Sequence, residues 1–283
     1  MKQRIITAVI GLCVLAVVVV FFNTLLLNIA VCIISVIAVY EVLQAAKYNK
    51  HKILMCVSLA LAALIPFVTT NFVTMTLQFF LYLFAVILFT LLIARHTELR
   101  AEEIGFTFLV SISITTSFTT IIFLRENNAT CLSILYVLIA LGSAWWSDTF
   151  AYFTGRAFGK RKLAPVISPK KTVEGAIGGL FGAVLGNLFI AFLLTQLQSV
   201  PAIASYYEGT LQVNYLRIAL LSPILSVVSI LGDLSASAIK RQFGVKDFGS
   251  IMPGHGGVMD RFDSVLFVLP LVRLISVILP LGY

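Results

Sequence analysis

The chain has 283 residues, of which 60% are hydrophobic and only 11% charged, and its formal net charge is +8. That apolar share excludes an ordinary soluble domain, and the absence of alternating segments of about ten residues argues against a β-barrel. The positive charge does not mark a nucleic-acid partner, because it gathers in alternate connections between apolar runs instead of forming one basic face.

Nine apolar runs follow one another, at about 4–22, 24–46, 53–69, 72–94, 104–124, 131–154, 173–197, 214–236 and 258–281. As a helix, each approaches the length needed to cross a hydrocarbon core of about 30 Å. Lipid offers the backbone no partners, so helices that bond internally are the economical solution. The pattern predicts an all-α, polytopic integral membrane protein with about nine transmembrane helices. Lys2 and Arg4 before the first run resemble the start of a signal peptide. The run is long, however, and no A-x-A-like cleavage site follows, so it is read as a retained span.

The connections alternate between basic and bare. A basic amino end, "KYNKHK", "RHTELRAEE", 156–171 and 240–246 fall on one side, and "FFNT", "TTN", "RENNAT" and 198–214 on the other. Of the 20 Lys and Arg, only Arg125 and Arg217 lie on the second side, and Arg273 sits within the last run. This positive-inside pattern predicts a cytoplasmic amino terminus, an external carboxyl terminus and a cytoplasmic active face, and the compactness of the chain favours a bacterial inner membrane as host. Basic loops on that side suit anionic headgroups and phosphates.

Residues 1–130 read as amino-terminal membrane helices, about five spans, and 131–283 as a catalytic part with about four spans and the cytoplasmic loops. In the first part Glu41 is the one acid within a span, and it reads as a helix-end carboxylate near Lys47. Cys13, Cys32, Cys56 and Cys131 all lie in apolar runs without metal-ligand spacing and read as small hydrophobes. In the seventh run Gly178, Gly182 and Gly186 recur every four residues, with Gly175 and Gly179 as a second row. Such rows let membrane helices approach closely. Phosphate loops, by contrast, place their glycines before a helix.

From residue 142 onward Asp, Lys, Arg, Gly and Ser collect near the cytoplasmic helix ends. Asp260 and Asp263 are i, i+3 and share a helical face. Asp233 and Ser237 are i, i+4, with Lys240 and Arg241 one turn on. Asp148 lies near the inner end of the sixth run, with Arg156 two turns further. A carboxylate in a membrane helix costs at least about 2.5–3.5 kcal/mol, so several at one depth call for a reason. Internal pairing, of Asp148 with Arg156 or of Asp260 with Arg261, is one. A hard cation with phosphates is the other, and Mg²⁺ suits it because it takes one or two carboxylates and fills its sphere with water and phosphate oxygens. In "PGHGG" the glycines, including Gly256 and Gly257, allow a ligand to approach the backbone beside a helix start. His255 there reads as a phosphate or base contact. Ser168, Lys170 and Lys171 end at a helix N-terminus, where an anion is stabilised. Glu174 in the first turn reads as a cap.

The stretch 237–263 resembles the signature of the phosphatidate cytidylyltransferases, also called CDP-diacylglycerol synthases. It reads Ser237, Ile239, Lys240-Arg241, Lys246-Asp247, Gly249, Pro253, His255-Gly256-Gly257, Val258, Asp260-Arg261 and Asp263, with Met252 as the one unusual choice. "SDTFAYFTGRAFGK", "SPKKTVEG" and "LGD" upstream are similar as well, so the likeness covers about 142–264 through specific motifs. It implies transfer of CMP from CTP to phosphatidate, giving CDP-diacylglycerol and pyrophosphate. It also implies Mg²⁺, a second cation such as K⁺, and a homodimer. In that reading Asp233, Asp260 and Asp263 hold metal, and Asp233, Asp260, Asp263, His255, Lys240 and Arg241 form the catalytic set. Substrate contacts fall to Lys170, Lys171, Ser168, Ser237, Lys246, Gly256, Gly257, Arg261 and Asp148. The alternatives are a related CTP-dependent prenol-lipid kinase or cytidylyltransferase, and a cation-coupled transporter. A transporter would place its charges near the midplane of repeated halves.

Overall fold

The structure is a computed structural model that describes residues 2–68, 73–198, 211–252 and 256–282. Nine α-helices carry the fold among these residues: α1 Lys2–Val20, α2 Leu25–Ala45, α3 Lys52–Leu64, α4 Val73–Ala94, α5 Ala101–Asn127, α6 Thr130–Phe158, α7 Val173–Gln198, α8 Tyr215–Gln242 and α9 Met259–Ile278. Each of the nine predicted runs is a helix. Six have a stretch long and apolar enough to cross a bilayer: α2, Leu77–Ala94 of α4, α5, α6, α7 and α8. Val9–Val20 and Lys52–Phe67 are shorter apolar helices, and α9 carries Asp260, Arg261, Asp263 and Arg273. The protein is an integral membrane protein of all-helical architecture. Its one sheet among the described residues is a hairpin of β1 Lys162–Ala164 and β2 Ser168–Thr172, antiparallel, with Lys162 opposite Thr172 and Ala164 opposite Ser168.

The chain forms two compact units. The first comprises Met1–Phe123 and Phe243–Phe262, the second Leu124–Gln242 and Asp263–Tyr283. In the first unit α2 begins at Thr24, whose side chain accepts from the Leu26 N–H at 3.2 Å. The helix is followed by Lys47 in the left-handed conformation (φ 62°) and a short 3₁₀ turn, Tyr48–Lys50. Glu103 at the start of α5 holds that turn. Lys50 Nζ lies 2.9 Å from one of its oxygens and His51 Nε2 3.5 Å from the other. Tyr48, Phe106 and Phe243 meet edge to face beside it. Leu54, Leu61, Ile65, Phe84, Leu88, Leu99 and Ile104 form this unit's apolar core.

Some hydroxyls in the membrane helices find partners on their own backbone, while those of Thr107, Ser111 and Thr115 on α5 are buried without one among the described residues. Thr116 donates to Ile112 O at 2.7 Å and Thr119 to Thr115 O at 2.7 Å. This back-bonding to the preceding turn satisfies Thr116 and Thr119 within α5 itself.

In the second unit α6 and α7 pack along their lengths, and α8 packs on both. The glycine rows explain the closeness. A methyl group placed on Gly178 would strike Thr154, on Gly182 the Phe150 ring stem, and on Gly186 Trp146. The two helices therefore mesh antiparallel, each glycine taking a large α6 side chain. Asn187, one residue past the row, donates to Ser143 Oγ at 2.8 Å and Ser222 Oγ at 2.9 Å, pinning three helices together. A second cross-link joins Ser147 and Ser226 at 2.7 Å. Replacing Gly182 with Ala is expected to cost about 1–3 kcal/mol by overpacking. The effect should be a lower unfolding midpoint in detergent, and an unchanged midpoint would show that α6 and α7 separate freely.

Candidate functional site

The second unit brings together residues that lie far apart in the chain. Asp148, Tyr152 and Arg156 follow one another along α6, Lys170 and Lys171 sit on β2, and Asp233 sits on α8. Together they line a cavity of about 360 Å³, a volume typical of small-ligand sites. The hairpin is anchored for this purpose. Thr172 accepts from the Gly175 N–H at 3.1 Å and so caps α7. Glu174 accepts from the backbone N–H groups of Lys160, at 3.0 Å, and Arg161, at 3.2 Å. The first turn of α7 thus fixes both ends of the basic connection. Glu174 does more than cap its own helix, as the sequence suggested: it ties down the chain leaving α6.

Inside the cavity the Lys171 ammonium is ion-paired with the Asp233 carboxylate. Ser237, one turn on, donates to Asp233 Oδ1 at 3.5 Å. Burial pulls the Lys171 ammonium below its ordinary range, with the charge of Lys240 adding to the shift. Asp148 and Asp263 oppose it, as does the direct pair with Asp233. Lys240 Nζ lies 3.8 Å from Asp263 Oδ2, and both side chains are largely buried at 11% and 10% exposure. Such a pair is poorly screened, and removing one partner leaves the other uncompensated. Asp263 Oδ1 also accepts from the Ser264 N–H at 2.8 Å. The neighbouring Gly232 is what lets α8 and α9 meet here: a methyl group on it would come within 2.9 Å of the Asp263 carbonyl oxygen. In the sequence "LGD" stands out for its aspartate. The close approach that needs the glycine only becomes legible once the facing helix is known.

The other half of the signature folds in the first unit. Asp260, in the first turn of α9, accepts through Oδ2 from the N–H groups of Phe248 and Gly257, both at 2.9 Å. Met252 N–H donates to Gly256 O at 2.9 Å. Gly256 has φ +81°, a conformation that glycine adopts without strain. Glu41 reaches the same place from α2, and its role differs from the expected helix-end pair with Lys47. It is 1% exposed and accepts from the N–H groups of Val258, at 3.0 Å, and Met259, at 2.8 Å. Its partner is a helix terminus 217 residues away, which local spacing cannot reveal.

Of the residues predicted for the site, Asp148, Lys170, Lys171 and Asp233 line one cavity, and Ser237, Lys240 and Asp263 adjoin it through the contacts above. Ser168 opens β2 opposite Ala164, outside that lining. Arg241, Lys246 and Arg261 are exposed. His255 lies outside the described residues. Among the described residues no group of three His, Cys, Asp or Glu side chains forms a metal cage. The donor set still fits Mg²⁺, which needs only one or two carboxylates when phosphate and water complete its sphere. Asp233 and Asp263 are hard oxygen donors, and in this structure lysine ammonium groups neutralise both.

The family model described as the cytidylyltransferase family matches residues 2–279. The chain belongs to the cytidylyltransferase family. Among its relatives is a protein of Staphylococcus haemolyticus (strain JCSC1435) named phosphatidate cytidylyltransferase, 44% identical over 142 residues, which is 50% of this chain and 49% of the relative. A protein of the same name from Bacillus subtilis (strain 168) is 40% identical over 189 residues, 66% of this chain and 64% of the relative. One from Staphylococcus aureus (strain COL) is 45% identical over 142 residues, 50% of this chain and 49% of the relative. The chain thus spans about half to two thirds of the length of these relatives. In this cytidylyltransferase-family member, the second unit sets the Lys171–Asp233 and Lys240–Asp263 pairs in and beside the cavity.

Proposed function

We propose that this protein is a phosphatidate cytidylyltransferase, joining CMP from CTP to phosphatidate and releasing pyrophosphate. The observation that carries the reading is the cavity in which Lys170, Lys171 and Arg156 stand beside Asp148 and Asp233, in a chain whose relatives bear that name. The basic connections favour a cytoplasmic active face, the side that holds CTP. The staphylococcal and Bacillus relatives favour a bacterial plasma membrane.

The chemistry asks for charge control more than for a strong base. A phosphate monoester has its second pKa near 6, so the phosphatidate oxygen is largely ionised at neutral pH. It attacks the α-phosphorus of CTP, the bond from that phosphorus to the β-phosphate oxygen breaks, and pyrophosphate departs. The obstacle is bringing one dianion to a polyanion. Lys170, Lys171 and Arg156 supply positive charge along the cavity. Lys171 is held ready by Asp233, and it neutralises phosphate oxygens by shifting away from that carboxylate. Asp233 and Asp263 would then hold Mg²⁺, and the resemblance of the 237–263 signature, by itself, assigns Asp260 to the site as well. The metal would supply Lewis-acid neutralisation of the triphosphate oxygens. A cavity at helix ends, lined by the exposed Tyr152 as well as by charges, suits a lipid headgroup arriving at the interface while the nucleotide enters from water.

The deciding test uses purified protein in detergent with CTP labelled in its α-phosphate, phosphatidate and Mg²⁺. Label should enter the chloroform-soluble phase as CDP-diacylglycerol, with one pyrophosphate released per lipid. Label from the γ-phosphate entering the lipid instead would identify a kinase. Neither label in lipid, with active control enzyme, would remove the assignment.

A further inference from the structure

Glu41 is an acid that its own surroundings do not favour. It lies on α2, a helix long and apolar enough to span the bilayer, one turn from the end where the helix dipole is negative. Its side chain is also removed from water. An isolated carboxylate in such a place is costly, so a specific partner must offset it. That partner is the N-terminus of α9. The two carboxylate oxygens of Glu41 take the N–H groups of Val258 and Met259, donors that have no acceptor within their own helix. The positive end of α9 meets the charge that α2 disfavours.

Gly249 and Gly257, both before α9, fit closely around this carboxylate. A methyl group on Gly249 or on Gly257 would strike the Glu41 carboxylate itself. Asp260 completes the arrangement from the other side through Phe248 and Gly257. Gly257 is therefore held between two acids: its N–H is taken by Asp260, and its open face by Glu41.

We propose that Glu41 is a positioning residue for the cytidylyl-transfer site, acting through Gly257, Val258 and Met259 to set where Asp260 stands. The inference rests on the reading of Asp260 as a member of that site. Glu41 itself touches neither substrate nor metal in this scheme. It fixes the first turn of α9, with Gly249 and Gly257 closed over its carboxylate.

The test pairs two measurements on the full-length protein in detergent. Glu41→Gln keeps the side-chain shape and puts an NH₂ group against a backbone N–H. Deuterium exchange of peptides from 243–262 should accelerate about tenfold or more, with peptides from α6–α8 unchanged. Lipid product formation, as kcat/KM, should fall about 10- to 100-fold in the otherwise native protein but less than about threefold in an Asp260→Asn background, since residues that act as one unit are not additive. A merely structural role would cost the same factor in both backgrounds. Should Glu41→Gln not fold, Glu41→Asp, which keeps the charge on a shorter stem, is read by the same two measurements. Unchanged exchange at 243–262, acceleration throughout the protein, or equal losses in the two backgrounds would overturn the proposal. If the native protein makes no CDP-diacylglycerol, the functional reading fails by itself, and the exchange result alone decides whether Glu41 holds the loop.

Discussion

Asp233→Asn is expected to lower CDP-diacylglycerol formation by about 10²–10³-fold, the scale on which removing one electrostatic stabiliser acts, while the protein stays folded and monodisperse. The substitution separates two ideas about the cavity. If the site needed only positive charge, releasing Lys171 from its carboxylate partner would leave activity intact or raise it. If the carboxylate holds a cation against the triphosphate, the change removes a ligand of that cation and activity collapses. Equilibrium binding of CTP adds a second readout. Without Mg²⁺ the variant should bind CTP at least as tightly as the native protein, because one negative charge has left the cavity. Activity within about threefold of native would eliminate Asp233 from the catalytic set.

Asp260→Asn is the second large effect, and it isolates charge from shape. The carboxylate oxygen that accepts from Phe248 and Gly257 has a near equivalent in the amide oxygen of Asn, so the loop can keep its hydrogen bonds. Activity should fall at least about 100-fold while deuterium exchange of 243–262 remains close to native. Asp260→Ala should lose both. If Asp260→Asn retained activity while Asp260→Ala lost it, Asp260 would be an anchor of the loop and not a member of the reacting site.

Much of this fold is written in hydropathy. Nine apolar runs became nine helices, and the glycine rows of the seventh were helix-packing surface, because burial in lipid leaves a chain few other options. Helix ends were less legible. The sixth and eighth runs stop near 154 and 236 by apolarity, yet α6 continues to Phe158 and α8 to Gln242. Those extra turns carry Arg156, Ser237, Lys240 and Arg241, so the charged residues that seemed to end the helices ride on them. In sequence, the hairpin at 162–172 looks like a basic loop. Its strands have three and five residues, one with a proline, and so short a pattern gives no periodic signal.

The candidate site was legible where chemistry and position coincide. Asp148, Lys170, Lys171 and Asp233 were singled out by charge near membrane boundaries, and they share a cavity. What stayed hidden depends on partners distant in sequence. Glu41 has a lysine nearby in the chain and was assigned to it, yet its bonds go to Val258 and Met259. Gly232 passed as part of a short motif until α9 was seen against it. No spacing rule links such positions, since only the folded helices bring them together.

The meshing of α6 and α7 leaves α7 with two unlike sides. Opposite its glycines, Ile177, Phe181, Leu185 and Phe189 point outward at 53%, 68%, 60% and 52% exposure. Where acyl chains cover that outer stripe, its bulk can change as a host adjusts the thickness and fluidity of its bilayer. The inner stripe has no such freedom, for any added carbon there would push against the helix that bears Asp148 and Arg156. One helix thus stands between the cavity that Asp148, Lys171 and Asp233 line and the apolar surroundings at its back.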